Sequence, residues 1–304
     1  MAPRMRCPII ESAALGHGIG VTGRRMVKTG HVHEIRQMTY QPPGSRAATV
    51  ETLTFGRLRE LNDGATQRAD FHVLALVDSG PGAVTVDFLQ HPLEDRSAVW
   101  IPPGAVHRWD DIAHVAGHLV LFAPTAPVTD ATRELVASPD LAAHWNIPDA
   151  ARPFVDMARD HLLLEAAAAH PDSLTELPAI LLSALLARLR PPHADAGLAH
   201  PLFQSFRADV EAHFRHHHDA TYYARALGYA PRTLSRAVQQ ATGRTAKAYL
   251  VERIVLEAKR LLAHDRLTAA RCAAALGFPD ASSFSLFFYK ATGQRPGAWQ
   301  RLAR

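Results

Sequence analysis

Tyr222-Tyr223-Ala224-Arg225-Ala226-Leu227-Gly228-Tyr229 is followed by Leu234, Val238 and Ala241-Thr242-Gly243. The order returns in Arg271-Cys272-Ala273-Ala274-Ala275-Leu276-Gly277-Phe278, then Phe284, Phe288 and Ala291-Thr292-Gly293. The Leu-Gly-aromatic units lie 49 residues apart and the Ala-Thr-Gly units 50 apart. Each copy reads as a helix-turn-helix. A short Ala-rich helix permits close packing, and Gly228 or Gly277 can adopt the left-handed cap that ends it. Tyr229 and Phe278 are expected to plug the core between the two helices. Pro231 suits the first turn of the next helix, and Asp280 is a good N-cap for its counterpart. Leu234 with Val238, and Phe284 with Phe288, are four apart and form one buried stripe.

Ala246–Ala263 links the copies. Leu250, Ile254, Ala258 and Leu261 follow helical spacing, so one helix of about 27 Å is expected there. It can hold two reading helices about 34 Å apart, one turn of DNA. Charge supports a polyanion partner. Residues 202–304 carry 16 Lys and Arg against 7 Asp and Glu, a net +9, whereas the rest carries 17 against 22, a net −5.

Glu257-Ala258-Lys259-Arg260-Leu261-Leu262, then Ala275-Leu276-Gly277-Phe278, Phe284, Phe288 and Thr292-Gly293-Gln294-Arg295-Pro296, closely resemble the double helix-turn-helix of AraC-type transcription regulators. The resemblance covers about the last hundred residues. It implies a partner, double-stranded DNA, and the faces that read it. In the first copy these are Arg232, Thr233, Arg236 and Gln239. Arg232 and Arg236 are four apart and can enter one groove, where Arg to guanine is the commonest specific contact. In the second copy the outward positions are Ser282, Ser283, Ser285, Leu286, Tyr289 and Lys290. The family usually has Arg where this chain has Leu286. That side chain could meet a thymine methyl or serve packing, and Ser282 and Ser283 could bond phosphates or bases. The first copy is therefore expected to carry most of the specificity.

The fold class expected is multidomain: an N-terminal cupin-like β-barrel, a helical connector and a C-terminal all-α double helix-turn-helix. Residues 1–47 read as irregular, 48–130 as the sensor domain, 131–200 as a helical dimerisation segment and linker, and 202–304 as the DNA-binding domain. Strands are expected at Thr49–Leu58, Phe71–Val77, Val84–Phe88, Ala98–Ile101 and His118–Phe122. Val84, Val86 and Phe88 share one face by alternation. Short strands at this spacing form a sandwich or small barrel. Phe154–Ala169 and the stretch Ala179–Leu189 read as helices, with Pro171-Asp172 between them and Thr175 as a cap. The second is apolar nearly all round, which places it in a core or a subunit interface. Pairing across a homodimer through 153–190 is expected, unless Phe154–Ala169 folds back to cover it. His193–His200 reads as a linker.

Pro102-Pro103-Gly104-Ala105-Val106-His107 resembles the second half of a cupin motif, and AraC-type regulators often carry such a sensor domain. A small-molecule effector is implied, with Arg68, His72, Trp100, His107 and Trp109 as the candidate ligand-binding residues. The same histidines also read as ordinary half-buried side chains. A metal cupin needs two closely spaced His and a Glu, and Asp70-Phe71-His72 supplies one His. His91, His114 and His118 have no spacing that demands a metal, and His216-His217-His218 reads as a solvated helix end. No metal, cofactor or catalytic residue is therefore expected. The competing function is a metal-dependent cupin enzyme with an appended helical partner module.

The remaining features narrow the setting. Hydrophobic residues make up 47% and charged residues 20%, and no apolar run reaches membrane-spanning length. Arg4 and Arg6 precede no apolar core, so no signal peptide is expected. There are two cysteines, Cys7 and Cys272, far apart and without metal spacing, so neither a disulfide scaffold nor a Cys-based zinc module is expected. A cytoplasmic, nucleoid-associated protein follows, with RNA polymerase as a candidate further partner. Gly16-His17-Gly18 lacks the strand and acidic partner of a dinucleotide loop.

Overall fold

The computed structural model describes residues 36–38, 50–138, 141–168, 176–189 and 201–302. The sequence readings at 1–35, 39–49, Pro171-Asp172, Thr175 and His193–His200 lie outside these. Ten strands and eleven helices occur among the described residues. The elements up to Leu189 form one compact unit and those from Pro201 onward a second.

The first unit is a sandwich of two five-stranded sheets, which among the described residues do not close into the barrel expected from the sequence. One sheet orders β1 (Arg36–Met38), β3 (Gln67–Ala69), β8 (Val106–Asp111), β5 (Gly82–Val86) and β6 (Leu89–Leu93). The other orders β10 (His144–Asn146), β7 (Ser97–Ile101), β4 (His72–Ser79), β9 (Ala116–Phe122) and β2 (Val50–Thr54). Alternation along β4 sends Val73, Ala75 and Val77 into the core between the sheets, where Val84, Val86, Val99, Ile101 and Leu119 meet them. The opposite face of β4, with Leu74 and Leu76, is buried as well.

Two expected strands end early. Thr49–Leu58 turns helical after Thr54, whose hydroxyl caps α1 (Phe55–Leu61) by accepting the Arg57 amide at 3.0 Å. Val84–Phe88 ends at Val86, because Asp87 and Phe88 take positive φ (45° and 76°) and turn the chain into β6. Phe88 therefore leaves the face it was expected to share with Val84 and Val86.

Beyond the sandwich, α2 spans Asp130–Val136, α3 Arg152–Ala168 and α4 Leu177–Leu189. Pro178 sits in the first turn of α4, where its missing N–H costs nothing. Helices α3 and α4 pack on each other and on β2. Leu182, Leu185 and Leu186 of α4 are fully buried within the chain. Asp78, at the end of β4, anchors α3 through Arg152 (3.0 Å) and the buried Arg159 (2.7 Å). No helix is long and apolar enough to cross a membrane among the described residues.

The second unit is all helical: α5 (Pro201–His213), α6 (Ala220–Ala226), α7 (Pro231–Thr242), α8 (Ala246–Ala263), α9 (Ala269–Ala275), α10 (Ala281–Thr292) and α11 (Pro296–Leu302). Its core runs through Phe206, Tyr223, Leu234, Val238, Leu250, Ile254, Phe284 and Phe288.

Candidate nucleic-acid interface

Helices α6 and α7 form the first helix-turn-helix, and α9 and α10 the second. Gly228 and Gly277 take φ of 75° and 71° and end the shorter helices. At Gly277 the need is doubled, since a Cβ there would stand 2.2 Å from the Arg215 carbonyl oxygen. Pro231 opens α7, and the Asp280 carboxylate caps α10 by accepting the Ser283 amide at 2.7 Å. That bond holds the Asp280 pKa below its ordinary value.

Leu234, Val238, Phe284 and Phe288 are fully buried, as the four-residue stripe of each copy predicts. Arg232, Thr233 and Arg236 are exposed on α7. Gln239 is exposed too, but its amide nitrogen donates to the Gly243 carbonyl at 2.7 Å. On α10, Ser282 and Lys290 are exposed, and Ser283 is half-buried beside the Asp280 cap. Leu286 is 55% exposed, so more than half of it faces away from the domain core. Tyr229 corrects the sequence reading. It is 49% exposed rather than a core plug, while Phe278 is half-buried against Phe284 and Phe287. Both aromatics donate their amide to the carbonyl five residues back in the same cap. The phenol hydroxyl favours the solvated side, which is the one sequence signal that separates them.

A charged hub joins the two copies. The Glu257 carboxylate on α8 is almost fully buried and accepts from Arg215 at 2.8 Å. Arg253 and Arg260 stand 3.5 Å from it. Burial alone would raise the Glu257 pKa, but Arg253, Arg260 and Arg215 outweigh it and hold the pKa low. Arg253 also binds Glu211 at 2.8 Å and lies 3.9 Å over the Phe214 ring. The Arg215 carbonyl packs under Gly277. One turn of chain thus touches the linking helix and the second helix-turn-helix together. The neighbouring histidines are not a uniformly solvated helix end: His216 is exposed, His217 stacks on Tyr222 at 3.6 Å, and His218 lies against Phe278.

In the sandwich, the five ligand candidates do not share one pocket. A cavity of about 20 Å³ between the sheets is lined by apolar side chains and by Gln67, His107 and Trp109. Gln67 and His107 are opposite one another on β3 and β8. Arg68 lies on the other face of β3 by alternation. His72 and Trp100 alternate with core residues of β4 and β7, so they form a separate pair on the far face of that sheet. There the Trp100 indole donates to His72 Nδ1 at 3.0 Å, and Phe122 stacks on the imidazole. Among the other histidines, His118 faces Asp78 and His91 stacks on His144. No group of three or more metal-ligating side chains occurs among the described residues.

Burial pushes the His72 pKa down to about 3. It pushes His107 to about 4, against the opposing pull of Asp87 and the Ala105 carbonyl. Both are therefore neutral in the folded chain and protonate more readily unfolded, near about 6.5. Their contribution to stability is complete above that value and is lost as pH falls toward the folded-state values. The expected result is a lower denaturant midpoint at pH 4.5 than at pH 7. Tryptophan fluorescence would follow it, since Trp100, Trp109 and Trp145 are in this unit and Trp299 alone in the other. Part of the drop should vanish in His107→Asn. An unchanged wild-type midpoint would contradict the assignment.

Comparison with known proteins places the helical unit. Residues 223–302 match the family described as "Helix-turn-helix domain". The HTH-type transcriptional activator RhaR of Escherichia coli K12 is 37% identical over 71 residues, 23% of this chain and 25% of that protein. RhaR of Cronobacter sakazakii is 32% identical over 83 residues, 27% of this chain and 29% of that one. The chain thus spans little more than a quarter of the length of these relatives. Among solved structures, the C-terminal domain of AraT, a response regulator from Geobacillus stearothermophilus, is 27% identical. The match covers 34% of this chain and 85% of that one, with a TM-score of 0.31. ToxT from Vibrio cholerae O395 is 10% identical over 84% of this chain and 98% of that one, with a TM-score of 0.39.

Proposed function

We propose that the helical unit is an AraC-type double helix-turn-helix domain and that the whole chain is a sequence-specific DNA-binding transcription regulator. One observation carries the reading. Two twelve-residue helices 50 residues apart present outward faces over two corresponding buried positions, within a segment of net +9. Arg232 and Arg236 are exposed and make no ion pair among the described residues, so α7 has cationic donors available for bases and phosphates. We assign it most of the base readout. The cytoplasm is the setting, and RNA polymerase is the further partner where the protein activates.

The reading extends to control by a small effector in the sandwich. Gln67 and His107 would be its polar contacts. The cavity has room for about one water, so an effector would have to part its lining. It extends also to a homodimer through the expected segment 153–190, but on its first helix, α3, rather than on Ala179–Leu189. With Leu182 and Leu186 buried inside the chain, the face left open is on α3. Phe154, Met157, His161 and Leu164 are exposed there at alternating spacings of three and four, the spacing of a helix-pairing seam. Such a stripe is self-complementary about a two-fold axis.

The test is selection of binding sites from random duplex DNA by the full chain, then titration of a selected site at rising salt. An enriched sequence is expected, with a log–log slope of about −0.9 per phosphate neutralised. Arg236→Ala should cost that site about 1–3 kcal/mol and relax preference at one base pair. No enrichment, or a flat salt response, would overturn the reading.

A further inference from the structure

Helices α7 and α10 have the same length and share two buried positions at an offset of 50 residues. Leu234 and Val238 correspond to Phe284 and Phe288, and all four are fully buried. The outward positions correspond too: Arg232 with Ser282, Arg236 with Leu286, Gln239 with Tyr289. The geometry is kept while the chemistry is exchanged. Where α7 offers two guanidinium groups, α10 offers a leucine 55% exposed and a tyrosine 51% exposed, one turn apart on one face. Neither is needed for packing. Phe284 and Phe288 already fill the interior, against Phe278 and Trp299.

We propose that the second helix-turn-helix reads DNA by apolar contact, with Leu286 and Tyr289 meeting thymine C5-methyl groups in the major groove. This rests on the regulator reading above and names what that surface recognises. The major-groove edge of guanine presents two acceptors, that of adenine an acceptor and a donor, and that of thymine an acceptor and a methyl group. A leucine pressed against the guanine edge strips water from N7 and O6 and returns no hydrogen bond, which is unfavourable. Against a thymine methyl it removes apolar surface of both partners from water. Ser282 and Lys290, exposed at the two ends of the same helix, are placed for phosphates. One protomer then reads an asymmetric site. Guanine lies under α7, and thymine about one helical turn away under α10.

Deoxyuridine in place of thymine removes the methyl group alone and leaves the base pair intact. With the full chain and a selected site, the segment under α7 is identified as the one where Arg236→Ala loses base preference. Deoxyuridine in the other segment is expected to weaken binding about fourfold per contacted methyl, and in the α7 segment to change nothing. Leu286→Ala should weaken binding to thymine DNA and bring thymine and deoxyuridine sites closer to equal affinity. Leu286 is exposed, so the variant should keep the wild-type circular dichroism and melting temperature. If wild type ignores the methyls of the second segment, the proposal fails while the regulator reading stands. It fails equally if Leu286→Ala still discriminates them as strongly as wild type. If selection enriches no sequence at all, both fail together.

Discussion

Glu257→Gln is expected to destabilise the helical domain by about 3–5 kcal/mol, the usual cost of removing one partner from a buried ion pair. The substitution keeps the shape and leaves Arg253 and Arg260, both largely buried, facing a neutral amide. For a domain of about 100 residues, such a loss should lower the melting temperature by ten degrees or more. Arg215 is 55% exposed at its side chain, so Arg215→Ala should cost far less. The acid limb supplies an independent check. The folded-state pKa of Glu257 is lowered, so its contribution is complete above the ordinary carboxylate range. It is lost as pH falls through the depressed value. Wild type should therefore lose stability on acidification, and Glu257→Gln should lose less. A melting temperature within two or three degrees of wild type would show that the arginines do not depend on this carboxylate. Because the hub ties the Arg215 turn to α8 and to Gly277, specific DNA binding should weaken along with stability.

Met157→Glu and Leu182→Glu should part company. Met157 is 73% exposed on α3, in the middle of the seam assigned to the dimer, whereas Leu182 is fully buried between α4 and its neighbours. A carboxylate at Met157 meets water in the monomer but its own copy across a two-fold axis. The expected result is a folded chain that sediments as a monomer at tens of micromolar, with wild type a dimer. A carboxylate at Leu182 has no water and no cation to meet. It should cost more than about 4 kcal/mol and unfold the helical pair, seen as lost helical circular dichroism and exposed apolar surface. A Leu182→Glu protein that stays folded and becomes monomeric would return the interface to α4. A Met157→Glu protein that remains a dimer would remove it from α3.

The helical unit was legible almost residue by residue. Ala246–Ala263 was expected as one helix and is one. The glycine caps, Pro231 and the Asp280 cap also stand as read. These features are local: a cap or a four-residue stripe is set by neighbours within one turn, so the sequence itself determined them. The repeat then identified the outward faces, because burial of one stripe leaves the other side of the helix out.

Contacts between residues distant in sequence came from the fold alone. All residues of β4 from His72 to Val77 are buried, and so are all five of β7. An apolar run covered on both faces carries no alternation to say which side meets the opposite sheet. His72 and Trp100 were therefore grouped with His107 and Trp109, and the register separates them. Strand β8 was missed because His107, Arg108, Asp110 and Asp111 interrupt its apolar pattern. Its inward side is nonetheless consistent, with Trp109 opposite Val84. The apolar helix α4 does not say what covers it, and within the chain α3 packs against it. Periodicity reports how much surface an element must bury. Which element buries it depends on how the chain folds back, and that is decided only when all the faces compete at once.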